Sequence, residues 1–518
     1  MTEIVETTTG RLRGVAFGPA MGFLGIPYAQ SPAAPHRFQA PRPMLPWAGV
    51  READRFANQA SQIRFAFLDP GLARDPAQAT NRDFHRGVED QPIPYGEDCL
   101  ALNVWTPSTA GQRPVMVWLH GGGFAAGAGS WGWWAGDDLA ARQDVVVVTL
   151  NHRLNIFGFL SLQDHDGEAH GLVANAGMRD IVMALEWVRD NIAAFGGDPG
   201  NVTIFGQSGG GMKMATLMAM PAAKGLFHKA IVQSGAFLRA VPRARAAEVA
   251  ARTLDSLGIA PGQLEALQTV STEALLSVFA AANEGGPGVL RQFAPVADGL
   301  SLPADPFEPT APATAAGIPL LIGATSEEIT SLQGFRDPAI FELSAEACLA
   351  RVAGFCGIDH PAAAALIETY RAARPEASPA RLYAAIASDR QFGYGCILEG
   401  ERQSAQAPVY AYRLTWQSPV QGGRMGAPHN LCLPLVFGRD RAPGVTGTGT
   451  AHHALAEAMQ TAWARFARSG DPNYAGLPTW PNYEAQSRRT MIFDTPCQVL
   501  ADPAGDERRA QAALPPRM

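Results

Sequence analysis

The chain has 518 residues, 47% of them hydrophobic and 17% charged, with a formal net charge of −7. So much apolar material, with charges below the roughly 25% of an average domain, excludes a disordered chain and demands a large buried core. Mild acidity without any run of Lys or Arg excludes a nucleic-acid reader, which needs a basic stripe, and gives no pull towards anionic lipid.

The N-terminus, Met1-Thr2-Glu3-Ile4-Val5-Glu6, has neither a basic n-region nor an apolar h-region, which predicts no signal peptide. The apolar run Val145–Val148, extended to Leu150, falls far short of the roughly 20 residues that span a bilayer. A soluble, cytoplasmic protein without a membrane partner is expected. Six cysteines match no zinc spacing and no C-x-x-C, and predict buried free thiols rather than a disulfide scaffold.

Along the chain, Pro114–Leu119 (PVMVWL) reads as a strand that ends in a glycine cluster, His120-Gly121-Gly122-Gly123-Phe124. Ser130-Trp131-Gly132-Trp133-Trp134 follows, then a second strand at Val145–Leu150. Ile181, Ala184, Leu185 and Val188 recur at i, i+3, i+4 and i+7, which predicts a helix over Asp180–Ile192 with one face on a sheet. Asn201–Phe205 is a third strand, Gly206 starts a sharp turn, and Gly211–Met220 is compatible with a helix. Residues about 240–290 and 338–400 are Ala-rich and helical in pattern, and read as insertions capping the sheet. Strands return at Gly317–Gly323 and Pro408–Leu414, and His452–Ser469 forms a long helix stopped by Gly470-Asp471-Pro472. His452 and His453 are expected to face solvent. Strand and helix in alternation predict one α/β domain over residues 1–518 on a large, mostly parallel sheet flanked by helices.

Two motifs carry chemistry. Gly206-Gln207-Ser208-Gly209-Gly210 fits G-x-S-x-G, where a serine sits on a strained strand-to-helix turn and glycines relieve the crowding. A phosphate-binding glycine loop would need a lysine in G-x-x-x-x-G-K spacing, and none fits. His120-Gly121-Gly122-Gly123 directly after a strand is the esterase form of an oxyanion loop. Gly122 and Gly123 offer backbone N–H groups that no side chain obstructs, and Gly209 offers a third. Together these predict a serine hydrolase with Ser208 as nucleophile.

With those motifs in place, the chain resembles the type-B carboxylesterase family, which includes cholinesterases and bacterial p-nitrobenzyl esterases. The likeness extends to Phe195-Gly196-Gly197-Asp198-Pro199, Glu97-Asp98-Cys99-Leu100-Ala101-Leu102-Asn103-Val104, Phe23-Leu24-Gly25-Ile26-Pro27-Tyr28-Ala29 and Asn151-His152-Arg153-Leu154, covering about residues 8–494. It implies the α/β-hydrolase fold with a helical cap over an active-site gorge, and a triad in the order Ser, acid, His. The acid falls in Gly323-Ala324-Thr325-Ser326-Glu327-Glu328, at Glu328 by position, with Glu327 as the rival. The base falls in Gly426-Ala427-Pro428-His429, at His429. Ser234 and Gln207 lie in the surrounding shell by the same resemblance, which requires neither metal nor organic cofactor. It also implies two buried or half-buried ion pairs, Arg37 with Glu97 and Arg153 with Asp180.

Departures from the family pattern bear on substrate. Gln207 stands where Glu is frequent, and Cys432 where an acidic residue often follows the histidine. Ala60 stands where a disulfide partner of Cys99 would be, so Cys99 should be a free thiol. No Trp lies between Ala60 and Cys99, which argues against choline esters. Phe124, Trp131, Trp133 and Phe293 are candidates for the pocket wall. The expected substrate is therefore a neutral, hydrophobic carboxylic ester. Carbamate or amide hydrolysis by the same triad is the alternative, and a non-catalytic adhesion or scaffold homologue is the remote one.

Overall fold

A computed structural model of the protein describes residues 3–64, 76–89, 92–165, 167, 171–260, 262–282, 292–438 and 440–516. The chain forms two compact units. One takes residues up to Arg64, Glu89–Ile231 and Phe237–Ile318; the other takes the helix Pro76–Phe84, Val232–Ala236 and the chain from Pro319 onwards.

In the first unit, strand Arg113–Leu119 lies between Val146–Leu150 and Gly197–Gln207 and runs parallel to both. Ala101–Thr106, Ala20–Pro27 and Val15–Phe17 extend the sheet as successive antiparallel neighbours. Every residue of Val146–Leu150 is buried. Both faces of that strand are covered, so its sequence is an unbroken apolar run rather than an alternation. The helix Ala176–Asn191 turns Ile181, Ala184, Leu185 and Val188 inward as their spacing predicts. It starts earlier than Asp180 because Ala176, Gly177 and Met178 are buried too. The strand that follows is longer than Asn201–Phe205, since Gly197 already pairs with Arg113 before a register shift restores the ladder at Val202. The region 240–290 contributes helices Arg243–Ser256 and Thr272–Ala282; residues 261 and 283–290 lie outside the described residues.

In the second unit, Leu320–Thr325, Val409–Leu414 and Arg489–Phe493 are parallel neighbours, with Gln498–Ala501 antiparallel beside the last. The first of these begins at Leu320 rather than Gly317. Gly317 has φ +78° and the Ile318 N–H closes a turn onto Ala315, so the chain is still turning there. The region 338–400 is helical. Ser344, Asp359 and Ser378 each accept a backbone N–H three residues on, capping Ala345–Cys356, His360–Ala373 and Pro379–Ser388. These helices share an apolar cluster around Val352, Leu366, Tyr370 and Leu382. Pro379–Ser388 runs through a π-helical turn, Asp389–Gly393, into Tyr394–Ser404.

Both ion pairs implied by the resemblance form within the first unit. Arg37 grips Glu97 through Nη2 at 2.5 Å and Nε at 2.6 Å. Arg153 grips Asp180 through Nη2 at 2.6 Å and Nε at 2.8 Å. All six cysteines are free thiols, Cys99 among them. His452 corrects the expectation of solvent exposure: it directly precedes the helix His453–Ser469, is 1% exposed and packs near Trp416. Its neighbour His453 is partly exposed and bonds Asp440 at 2.9 Å. Among the described residues no helix is long and apolar enough to cross a membrane.

Candidate active site

Strand Gly197–Gln207 ends at Ser208, and helix Gly209–Ala219 begins immediately after it. Ser208 is forced to φ +57°, ψ −124°, a region costly for any residue with a Cβ. This is the strained turn that G-x-S-x-G predicts, and it leaves the serine partly exposed at a helix N-terminus. A Cβ on Gly209 would sit 2.3 Å from the Gly123 carbonyl oxygen, so the glycine loop and the start of this helix touch backbone to backbone. Gly122 takes φ +88°, and its carbonyl accepts the Ala125 and Ala126 N–H groups at 3.2 Å, closing the loop into a tight turn. The three expected donors are thus presented by two pieces of chain in direct contact. Gln207 is buried, and its Oε1 lies 3.1 Å from where a Cβ on Gly121 would be.

Glu328 and His429 belong to the second unit. Glu328 is 0% exposed; its Oε1 accepts the Thr325 N–H at 2.8 Å, and its Oε2 bonds His429 Nδ1. His429 is 3% exposed, held by its own N–H on Ser331 Oγ at 3.1 Å and by the Phe392 ring at 4.6 Å. A carboxylate on Nδ1 makes that nitrogen the donor and leaves Nε2 as the basic one. Glu327 does something else. Its Oε2 accepts the Ala427 N–H at 2.8 Å and the Ser326 hydroxyl at 2.6 Å, bracing the loop that carries the histidine. Ser234 is buried with φ +52°, and its N–H donates to Gly323 O at 2.8 Å. Burial pushes the Cys432 thiol up to about 12, so it stays protonated and unreactive.

The aromatic candidates separate. Phe124 follows the glycine loop and packs on Phe159 and Phe237, with centroids 5.0 and 5.6 Å away. Phe293 packs on Phe279 at 5.3 Å. Trp131, Trp133 and Trp134 are all buried. Trp131 donates to Gln59 at 3.0 Å and stacks on Trp134, which donates to Ala128 O at 2.9 Å and packs on Trp118 of the central strand. Trp131 and Trp134 therefore fasten their loop onto the sheet.

One residue of this neighbourhood escapes a reading by motif. Lys213 lies within the apolar helix Gly209–Ala219, is 0% exposed, and donates from Nζ to His120 O at 2.8 Å. Its one sequence signal is a lone cation among Met212, Met214, Leu217 and Met218. Burial pushes it from 10.5 down to about 7. Between those values the unfolded chain holds the proton and the folded one does not, so stability rises with pH; below about 7 the burial penalty is fully present. Lys213→Met is accordingly expected to be more stable than the parent at pH 6.5. That advantage should shrink by up to about 1.4 kcal/mol per pH unit towards pH 10. Denaturant titrations at three pH values test this, and a gap constant with pH would show that the amine keeps its ordinary proton affinity.

The carboxylesterase family model matches residues 1–509. The chain is 36% identical over 518 residues to the para-nitrobenzyl esterase of Bacillus subtilis, covering 98% of each. It is 33% identical to the phenmedipham hydrolase of Pseudarthrobacter oxydans, covering 96% of this chain and 97% of that one. A solved carboxylesterase of Geobacillus stearothermophilus superposes with a TM-score of 0.82 at 37% identity, over 98% of this chain and 99% of that one.

Proposed function

The chain belongs to the carboxylesterase family, with its α/β-hydrolase fold and its hydrolysis of carboxylic esters, and from that premise we propose that Ser208, Glu328 and His429 perform the reaction on neutral, hydrophobic esters. The observation that carries this reading is the buried hydrogen bond from His429 Nδ1 to Glu328, which readies Nε2 as a base. His429 takes the Ser208 proton as the hydroxyl oxygen attacks the ester carbonyl. The carbonyl electrons move onto oxygen, which the N–H groups of Gly122, Gly123 and Gly209 receive. The intermediate collapses, the alcohol leaves with the proton from His429, and water repeats the attack on the acyl-enzyme. No step calls for a metal or cofactor.

Gln207 leaves the serine without an adjacent carboxylate, and Phe124 supplies an apolar surface next to the oxyanion glycines. A choline ester and its neutral 3,3-dimethylbutyl isostere separate charge from shape. The neutral ester is expected to have the higher kcat/KM, and a preference for the cation would overturn the substrate class. Trp131, Trp133 and Phe293 are proposed as further walls. If they are, Trp131→Ala or Trp133→Ala raises KM for long-chain or aromatic p-nitrophenyl esters more than for the acetate. Equal effects on all esters would confine the two tryptophans to packing. The likeness to phenmedipham hydrolase favours a second reading, hydrolysis of carbamates by the same groups; turnover of aryl carbamates beyond a single acylation tests it. The cytoplasm is the proposed location, since free cysteines suit a reducing compartment.

A further inference from the structure

The mechanism above leaves a buried polar block unused. Lys213 Nζ donates to the carbonyl of His120, the last carbonyl before Gly121-Gly122-Gly123. His120 bonds Gly121 O through Nδ1 at 2.8 Å, and its ring stacks on that of His152, with centroids 5.1 Å apart and planes 11° from parallel. His152 bonds Arg153 O through its own Nδ1 at 2.8 Å. All three side chains are buried.

We propose that Lys213 is a positioning residue of the oxyanion hole, clamping the entry of the glycine loop to the helix that carries the nucleophile. The inference rests on the roles given above to Gly122, Gly123 and Gly209. Those donors come from two pieces of chain, and an oxyanion is held well only if their N–H groups converge within a few tenths of an ångström. A run of glycines has no side chains with which to anchor itself. Lys213 lies on the helix that starts at Ser208, so its bond to His120 O couples the position of the loop to that of Gly209 and the serine. A methionine would fill similar space without the cost of burying an amine, so packing alone gives no reason for a lysine here. Burial together with the Lys213 charge holds both His120 and His152 well below the usual histidine range. They stay neutral, and the block persists as a hydrogen-bonded brace.

The test compares Lys213→Met, which removes the donor, with Lys213→Gln, which keeps a shorter one. Active sites are counted with a fluorophosphonate probe, so that kcat is expressed per folded site. The second readout is the affinity for an aryl trifluoromethyl ketone, whose adduct with a serine places an oxyanion in the hole. Lys213→Met is expected to lower kcat per site by on the order of 10- to 100-fold, with KM nearly unchanged and ketone affinity reduced by the same factor. Lys213→Gln should lose less, with the two losses again equal. The inference fails if either folded variant keeps kcat and ketone affinity within about two-fold of the parent. It fails equally if kcat falls while ketone affinity holds, or if only the number of labelled sites falls. A parent enzyme that does not bind the ketone would overturn the site reading itself, which the other outcomes leave standing.

Discussion

Ser208→Ala is expected to lower ester turnover by roughly five to six powers of ten while leaving the melting temperature within a few degrees of the parent. The loss is that large because the attacking oxygen is gone, and base and oxyanion donors acting on bulk water recover only a small part of the rate. The fold survives because alanine keeps the Cβ, and so inherits the backbone strain of φ +57°, ψ −124° rather than adding to it. Ser208→Gly separates the two properties. It should be equally inactive yet more stable than Ser208→Ala by about 1–2 kcal/mol, because glycine occupies this region freely. Activity in either variant near that of the parent would displace Ser208 as the nucleophile. Equal stability of the two would mean that the turn stores no strain.

Asp180→Ala is expected to destabilise the protein by about 3–5 kcal/mol, the largest loss among the described ion pairs. Asp180 is fully buried and receives three hydrogen bonds from one partner: Arg153 Nε at 2.8 Å, Nη2 at 2.6 Å and the Arg153 backbone N–H at 3.0 Å. Removing the carboxylate strands a guanidinium that is itself buried. The pair Arg86–Asp83, at 2.9 Å but with both side chains more than half exposed, is the control; Asp83→Ala should change stability by less than about 1 kcal/mol. Chemical denaturation of both variants checks the difference. A cost for Asp180→Ala as small as for Asp83→Ala would show that Arg153 finds another partner or reaches water.

The two turns that build the candidate site were legible in the sequence. A serine on a strained turn must be flanked by glycines, and a tight loop with positive φ needs glycines of its own, so both features are written locally at residues 206–210 and 120–124. Buried parallel strands leave an equally local mark, the unbroken apolar runs of Val146–Leu150 and Arg113–Leu119. His429 and Glu328 were candidates only by resemblance, because nothing local sets Gly426-Ala427-Pro428-His429 apart from any other small-residue loop.

What the sequence by itself determined was therefore whatever depends on neighbours a few residues away: the strands, the amphipathic helix at Ala176–Asn191, the strained turn at Ser208 and the glycine loop. Tertiary structure decided the rest. Adjacent carboxylates at Glu327 and Glu328 have the same composition and nearly the same flanks, yet one braces the Ala427 N–H and the other holds the His429 ring. His452 turns inward at a helix start that reads as exposed, and Lys213 disappears into a helix whose apolar pattern it interrupts. The physical reason is common to all three. The protonation state, burial and partner of a titratable side chain are set by groups brought to it from distant parts of the chain, and a linear pattern carries no record of that arrival.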